Sequence, residues 1–168
     1  MKKTFFLLAL AALASGCLTD YRWTSPVPEK MRTVSVPVFR NESNVTELGN
    51  LVSRQLLREF QREGTFSLRR VGDAAVEVQG VVKSAGASVQ SYDRKGGMRR
   101  RGYRMQAVAN VSVIDKVNGK VVIDNREYTA SVTFAGDADN LTSSRDASGR
   151  LADELSRQIV DDVLAIKW

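Results

Sequence analysis

Residues 103–123 read YRMQAVANVSVIDKVNGKVVI, and their pattern decides the fold. Tyr103, Met105, Ala107, Ala109, Val111 and Val113 occupy every second position, the period of a strand with one buried face. Asn118-Gly119 then falls between VSVID and KVVID. That dipeptide tolerates the positive backbone angles of a tight hairpin turn. The stretch therefore predicts a strand ending near Asp115, a turn, and an antiparallel strand over Lys120 to Ala135. In the second strand the apolar phase changes: Val121 and Ile123 are odd, whereas Tyr128, Ala130, Val132 and Phe134 are even. One extra residue near Asp124-Asn125, a β-bulge, accounts for the switch. The small alanines of the first strand let a helix approach closely.

Upstream of this hairpin, Ala74, Val76, Val78, Gly80 and Val82 alternate with Glu77, Gln79 and Lys83, a half-buried strand continuing to about Tyr92. Phe66 to Val71 is a shorter β-like run. Val45, Leu48, Val52, Leu56 and Phe60 recur at three- and four-residue steps, which predicts a helix over about 45–62 with one apolar stripe. Leu51 widens the stripe, Glu59 interrupts it, and Gly64 suits the C-terminal stop. Thr33 to Phe39, TVSVPVF, is a β-branched strand, and Pro37, lacking an N–H, requires an edge or a bulge there. At the other end Leu151, Leu155, Ile159, Val163 and Ile166 form the stripe of a second helix over about 144–166, weakened early by Gly149. The order is β-α-β-β-β-α. A right-handed crossover makes the first two strands parallel, and hairpins add the rest. With one stripe each, both helices lie on one face. The expected fold is an α/β (α+β) two-layer sandwich, a mixed four-stranded sheet with two helices on one face.

Composition removes much chemistry. The 168 residues contain no histidine and one cysteine, Cys17. No Ser-His-Asp or Cys-His nucleophilic site can be assembled within the chain, nor a zinc site of the usual Cys/His kind, nor an intrachain disulfide. No Ser-x-x-Lys spacing and no Gly-Lys-Ser/Thr phosphate cradle occurs. Asp137, Asp139 and Asn140 are spaced wrongly for a calcium loop and read as helix entry. A carboxylate-pair enzyme remains formally possible, but no pair stands out, and no cofactor site is read.

The N-terminus is an address. Lys2 and Lys3 precede the apolar run Phe5 to Ala14, which at ten residues is half the length of a membrane span. Small residues Ala14, Ser15 and Gly16 follow, so residues 1–16 read as a secretory signal peptide. Leu13-Ala14-Ser15-Gly16-Cys17 resembles the lipobox of bacterial lipoproteins, although Leu stands one place further from the cysteine than usual. That resemblance implies cleavage before Cys17, lipid on Cys17 and, with Leu18 next, an outer-membrane destination. Residues 17–30, with Pro26 and Pro28, read as a lipidated tether, and residues 31–168 as a single domain. The mature chain keeps 23 basic and 19 acidic residues, net +4. A charge this modest, in an exported protein, does not imply nucleic acid.

The basic residues concentrate at one place. Arg94, Lys95, Arg99, Arg100, Arg101 and Arg104 flank Gly96-Gly97 with no acid among them. Glycine pairs suit a hairpin turn. Guanidinium forks match phosphate and carboxylate geometry, so this tip is a candidate anion site. The flanking strands are long by pattern, about 60 Å for eighteen residues. The tip is therefore expected to project beyond the helices, or the arm to bend at Gly86.

In order, the signals are a lipobox cysteine, the aromatic patch Tyr21-Arg22-Trp23, TVSVPVFRNESNVTELGNLVSRQLLREF, DAAVEVQGVV, YRMQAVANVSVIDKVNGKVV, REYTASVTF and a terminal amphipathic helix. Across the mature chain this resembles the LptE family of lipopolysaccharide-assembly lipoproteins. Leu18-Thr19-Asp20 departs from relatives that carry Gly and an aromatic directly after the cysteine. The resemblance implies a non-enzymatic protein of the outer membrane, facing the periplasm or a barrel lumen. It implies the β-barrel LptD as partner, for which such proteins serve as plug and assembly factor, and lipopolysaccharide as ligand. VSVPVFRNES before a helix also resembles other envelope lipoproteins, such as peptidoglycan-synthase activators and curli-type secretion-pore subunits. The arginine tip favours the first family, because lipid A is phosphorylated.

Overall fold

The computed structural model describes residues 27–93, 100–135 and 141–168. A 3-10 turn at Glu29–Met31 leads into β1 (Thr33–Ser35) and β2 (Arg40–Asn41). Helix α1 (Leu48–Glu63), β3 (Ser67–Leu68), β4 (Val76–Asp93), β5 (Arg100–Asp115), β6 (Lys120–Ala135) and helix α2 (Leu141–Ala165) follow. The sheet order is β3-β1-β4-β5-β6, with β2 also pairing β4. The strands β1, β2 and β3 make parallel pairs, and β4-β5-β6 is an antiparallel meander. This is the expected two-layer sandwich with both helices on one face.

The sheet has six strands where the sequence suggests four. Pro37 splits the first extended run, so β1 and β2 pair separately with β4, at Val34↔Val76 and Arg40↔Val81. The Phe66–Val71 run supplies β3, which lies outside β1. In the break, Phe39 turns inward. Its backbone N–H donates to Ser53 Oγ at 2.8 Å, and Ser53 Oγ donates to the Gly49 carbonyl at 2.9 Å. The Phe39 ring lies directly over Gly80, where an added Cβ would come within 2.2 Å of it.

Helix α1 starts at Leu48 rather than Val45, because Glu47 adopts a left-handed backbone (φ 63°). Asn41 holds the preceding turn instead, its side-chain amide donating to the Val45 carbonyl. The two helix stripes meet the sheet as read: Leu48, Val52, Leu56, Phe60, Leu151, Leu155, Ile159 and Val163 are all fully buried. Glu59 is tolerated inside the first stripe by pairing with Arg62. Ala107, Ala109 and Ala130 are buried beneath α2 as small contacts. Burial of this apolar face supplies the main driving force for the layer.

The β6 bulge occurs where the phase change requires it. Val111 faces Arg126 and Val113 faces Ile123, and Asn125 takes φ 43°. A second slip follows at Val122, which moves Val121 off the Ile123 face and leaves it 55% exposed. Across the layers, Asp162 of α2 accepts from Arg126 Nη1 at 2.6 Å and from the Tyr128 hydroxyl at 2.8 Å. Burial, then the hydrogen bond to Asp162, pushes the Tyr128 phenol up to about 12.

Candidate ligand-binding arm

Strand β4 changes character at Lys83. Up to Val82 it is flanked by β1 and β2, and Val76, Val78 and Val82 are fully buried. Beyond Lys83, β5 is its strand partner among the described residues, and the pairing runs out to Asp93↔Arg100. Ser84, Gly86, Ala87, Ser88 and Val89 are exposed, and Ala85 is half-buried. The ribbon does not break at Gly86, which pairs with Gln106; the register slips at Lys83 and at Gln90 instead. The β5–β6 side of the arm keeps its helix cover further out. Tyr103 and Phe134 stack at 5.5 Å and are buried, and Ser148 of α2 lies against Met105. The arm thus leaves the helical layer along its β4 side only.

Of the six basic residues read as an anion site, Arg104 is described in full. It pairs in register with Ser88 and Thr133, and its side chain is exposed on the sheet face away from the helices. Arg100 and Arg101 belong to the backbone of β5, opposite Asp93 and Tyr92. Arg94, Lys95 and Arg99 lie outside the described residues, as do Cys17, the signal segment, and the Asp137–Asn140 loop. Strands β4 and β5 pair out to Asp93↔Arg100, so the topology brings Arg100, Arg101 and Arg104 to one end of the sheet. Such an array of cations can hold phosphate or carboxylate groups by charge-assisted hydrogen bonds.

The open face carries a second feature that local pattern did not reveal. A depression of about 540 Å³ is lined by Pro37, Val38, Gln79, Asn110, Ser112 and Asn125, among others. The β6 bulge builds its floor: the Asn125 N–H donates to Ser112 Oγ, and Asn110 Nδ2 donates to Asn125 Oδ1. Beside it Glu77 is buried, bonded by Gln79 and 3.8 Å from Lys116 Nζ. The phase change in β6 was the one sequence signal of this spot. Among the described residues no cluster of acidic or cysteine side chains could hold a metal ion. Likewise no described helix is long and apolar enough to cross a membrane.

The family model LptE, described as lipopolysaccharide-assembly, matches residues 31–165. The chain belongs to the LptE family. The match runs from the turn before β1 to the end of α2, so it covers the whole sandwich. Membership makes this an outer-membrane lipoprotein of lipopolysaccharide assembly, a family of non-enzymatic scaffolds. Among curated proteins none matches the chain significantly. Solved structures are similar to the chain at low identity. A putative neuraminyllactose-binding hemagglutinin homolog from Helicobacter pylori is 9% identical, with TM-score 0.53, over 83% of this chain and 89% of its own. The hypothetical protein CT253 from Chlamydia trachomatis is 13% identical, with TM-score 0.52, over 79% and 95%. A minor lipoprotein from Acinetobacter baumannii is 13% identical, with TM-score 0.47, over 80% and 94%.

Proposed function

We propose that this LptE-family protein is lipidated at Cys17 and partners an outer-membrane β-barrel of the LptD type as plug and assembly factor. It binds lipopolysaccharide through the end of the β4–β5 arm. The observation that carries the reading is the family match over residues 31–165. In this reading residues 1–16 are the signal peptide, residues 17–30 the lipidated tether, and residues 31–168 the domain facing the periplasm or the barrel lumen. Lipid A phosphates and core-sugar acids are the chemistry that Arg94, Lys95, Arg99, Arg100, Arg101 and Arg104 would engage. An arm exposed along β4 suits that role, because nothing in core packing calls for six cations at its end. Contact of the same tip with an acidic barrel lining is the competing use.

Partnership is tested by solubilising the tagged, full-length protein in detergent and identifying what accompanies it. The proposal expects a large outer-membrane β-barrel in stoichiometric amount. Recovery of a peptidoglycan synthase, or of a symmetric ring of the protein itself, would defeat it in favour of the other envelope lipoproteins.

A further inference from the structure

The end of the sheet opposite the arginine tip carries an apolar hairpin that no core contact explains. Six large hydrophobic residues are exposed among those described, and three lie at the β5–β6 hairpin end: Val117 in the turn at 50%, and Val121 and Val122 at the start of β6 at 55% and 36%. Single exposed valines are ordinary on a protein surface, but three within six positions, on and just after one turn, are a local concentration. The turn is also held rigid. Asp115 is buried beneath it and accepts the Asn118 N–H at 2.9 Å and the Asn118 side-chain amide at 2.6 Å. Burial raises the Asp115 carboxyl, but the hydrogen bonds from Asn118 and from the Val117 backbone outweigh it and hold the group below its ordinary value. Gly119, at φ 65°, closes the turn. Residues 116–122 therefore present their valines from a fixed platform.

The exposed charges directly flanking this turn are cationic, although Lys116 also lies 3.8 Å from the buried Glu77 carboxylate. Lys116 and Lys120 flank the turn and are exposed, while Asp115 is directed inward. The mature chain has six lysines: Lys30, Lys83, Lys95, Lys116, Lys120 and Lys167. Lys30 precedes β1, whose start pairs beside the start of β4, and the start of β4 pairs with Asp115. Lys167 neighbours Trp168, whose ring meets Phe66 just before β3. Four of the six lysines thus lie at this end; its acids besides Asp115 are Glu29, Glu63, Asp73 and the buried Glu77, which lies 3.8 Å from Lys116 Nζ. Glu63 is occupied by Thr65.

The described chain also starts here. Val27 is fully buried, and its carbonyl accepts from Arg32 Nε at 3.1 Å. Ten residue steps separate it from Cys17, a reach of at most about 35 Å. An anchor on Cys17 therefore tethers this end, not the arm, within reach of a bilayer.

We propose that the β5–β6 turn, residues 116–122, docks into the surface of an anionic phospholipid bilayer. Val117, Val121 and Val122 enter the headgroup–acyl boundary, and Lys116 and Lys120 rest among the phosphates. Apolar side chains with flanking lysines are the chemistry of interfacial insertion, the ammonium groups reaching back to the headgroups. Two such contacts, tether and turn, fix the orientation of the domain and direct the arginine arm away from the anchoring leaflet. The inference rests on the lipidated Cys17 reading for its geometry.

The test uses the full lipidated chain reconstituted in phosphatidylglycerol–phosphatidylcholine vesicles. An environment-sensitive fluorophore is attached at Val117→Cys, with Ser88→Cys on the arm as control and the unsubstituted protein as background. The docking expects a blue-shifted label at position 117, quenched by nitroxide lipids, and a water-exposed label at position 88. Lys116→Gln and Lys120→Gln should each weaken the docked fraction about fivefold on the anionic vesicles, less in high salt. Intact mass and flotation score the anchor separately. An anchored chain whose label at position 117 stays in water, or is quenched no more than the one at 88, overturns the docking and leaves the anchor intact. If the mass shows no acyl chain, the anchor reading falls. The same label on chain added to preformed vesicles then decides the docking alone.

Discussion

From Val76 to Val82, β4 is walled in; from Ser84 to Val89, the same strand with the same extended backbone has lost most of its neighbours. The first stretch buries three valines completely and carries the Phe39 ring on Gly80. Its surroundings are further fixed by the Phe39–Ser53–Gly49 hydrogen bonds. The second stretch is serine, alanine, glycine and one exposed valine, supported by β5 along one edge. Pairing with β5 resumes beyond the slip at Lys83, whereas stability does not carry over, because stability follows the apolar area covered by helices. The proximal half is built to hold the sandwich together. The distal half is available for contact, and Arg100 and Arg101 are paired at its end.

The contrast breaks most visibly if charge is placed under the helices. Leu56→Asp and Ile159→Asp each bury an unpaired carboxylate at a fully covered position, and each should cost at least about 4 kcal/mol. Thermal melts near that of the parent would show the helix stripes misassigned. The next effect sets the halves of β4 side by side. Gly80→Val drives a side chain into the Phe39 ring and should cost about 3 kcal/mol. Gly86→Val has nothing within 4 Å of its Cβ and should change stability by no more than about 0.5 kcal/mol. Equal losses in the two variants, measured by denaturant unfolding, would remove the distinction.

A smaller effect concerns the α2–β6 contact that the arm shares with the base. The Tyr128 phenol is raised to about 12 by burial and its bond to Asp162. The neutral phenol is the form the fold favours. Its contribution is therefore whole below the ordinary phenol range, near pH 10, and is lost as pH rises through about 12. Absorbance titration should show one tyrosine ionising late, and Tyr128→Phe should remove that step at a cost of about 1 kcal/mol. A titration in which all tyrosines ionise together near pH 10 would contradict it.

Elements governed by short-range period are legible in the residues themselves. The β5–β6 hairpin with its Asn118-Gly119 turn, the bulge at Asp124-Asn125 and both helix stripes follow from alternation, turn chemistry and amphipathic spacing. Elements set by tertiary contact are not. Pro37 announces a break, but the inward turn of Phe39 depends on the absence of a side chain at Gly80, 41 positions away. The left-handed Glu47 and the slip at Val122, which exposes Val121, likewise have no local signature. The candidate site divides in the same way. Its cations are evident as a charge cluster, and the open-face depression required Asn110 and Asn125 to be brought together by the bulge.

In the proposed function the arm binds ligand while the base carries the fold. Replacing Arg99, Arg100 and Arg101 together with glutamate tests it most directly. Lipopolysaccharide binding by the purified protein is measured at two salt concentrations, alongside its melting curve and its recovery of the barrel. Binding should weaken at least about tenfold, because repulsion between carboxylates and phosphates replaces charge-assisted hydrogen bonds. Salt dependence should be strongest in the parent, while the variant keeps an unchanged melt and retains the barrel. Unchanged lipopolysaccharide binding by the folded triple variant would contradict the account, and loss of the barrel alone would assign the tip to the barrel lining instead.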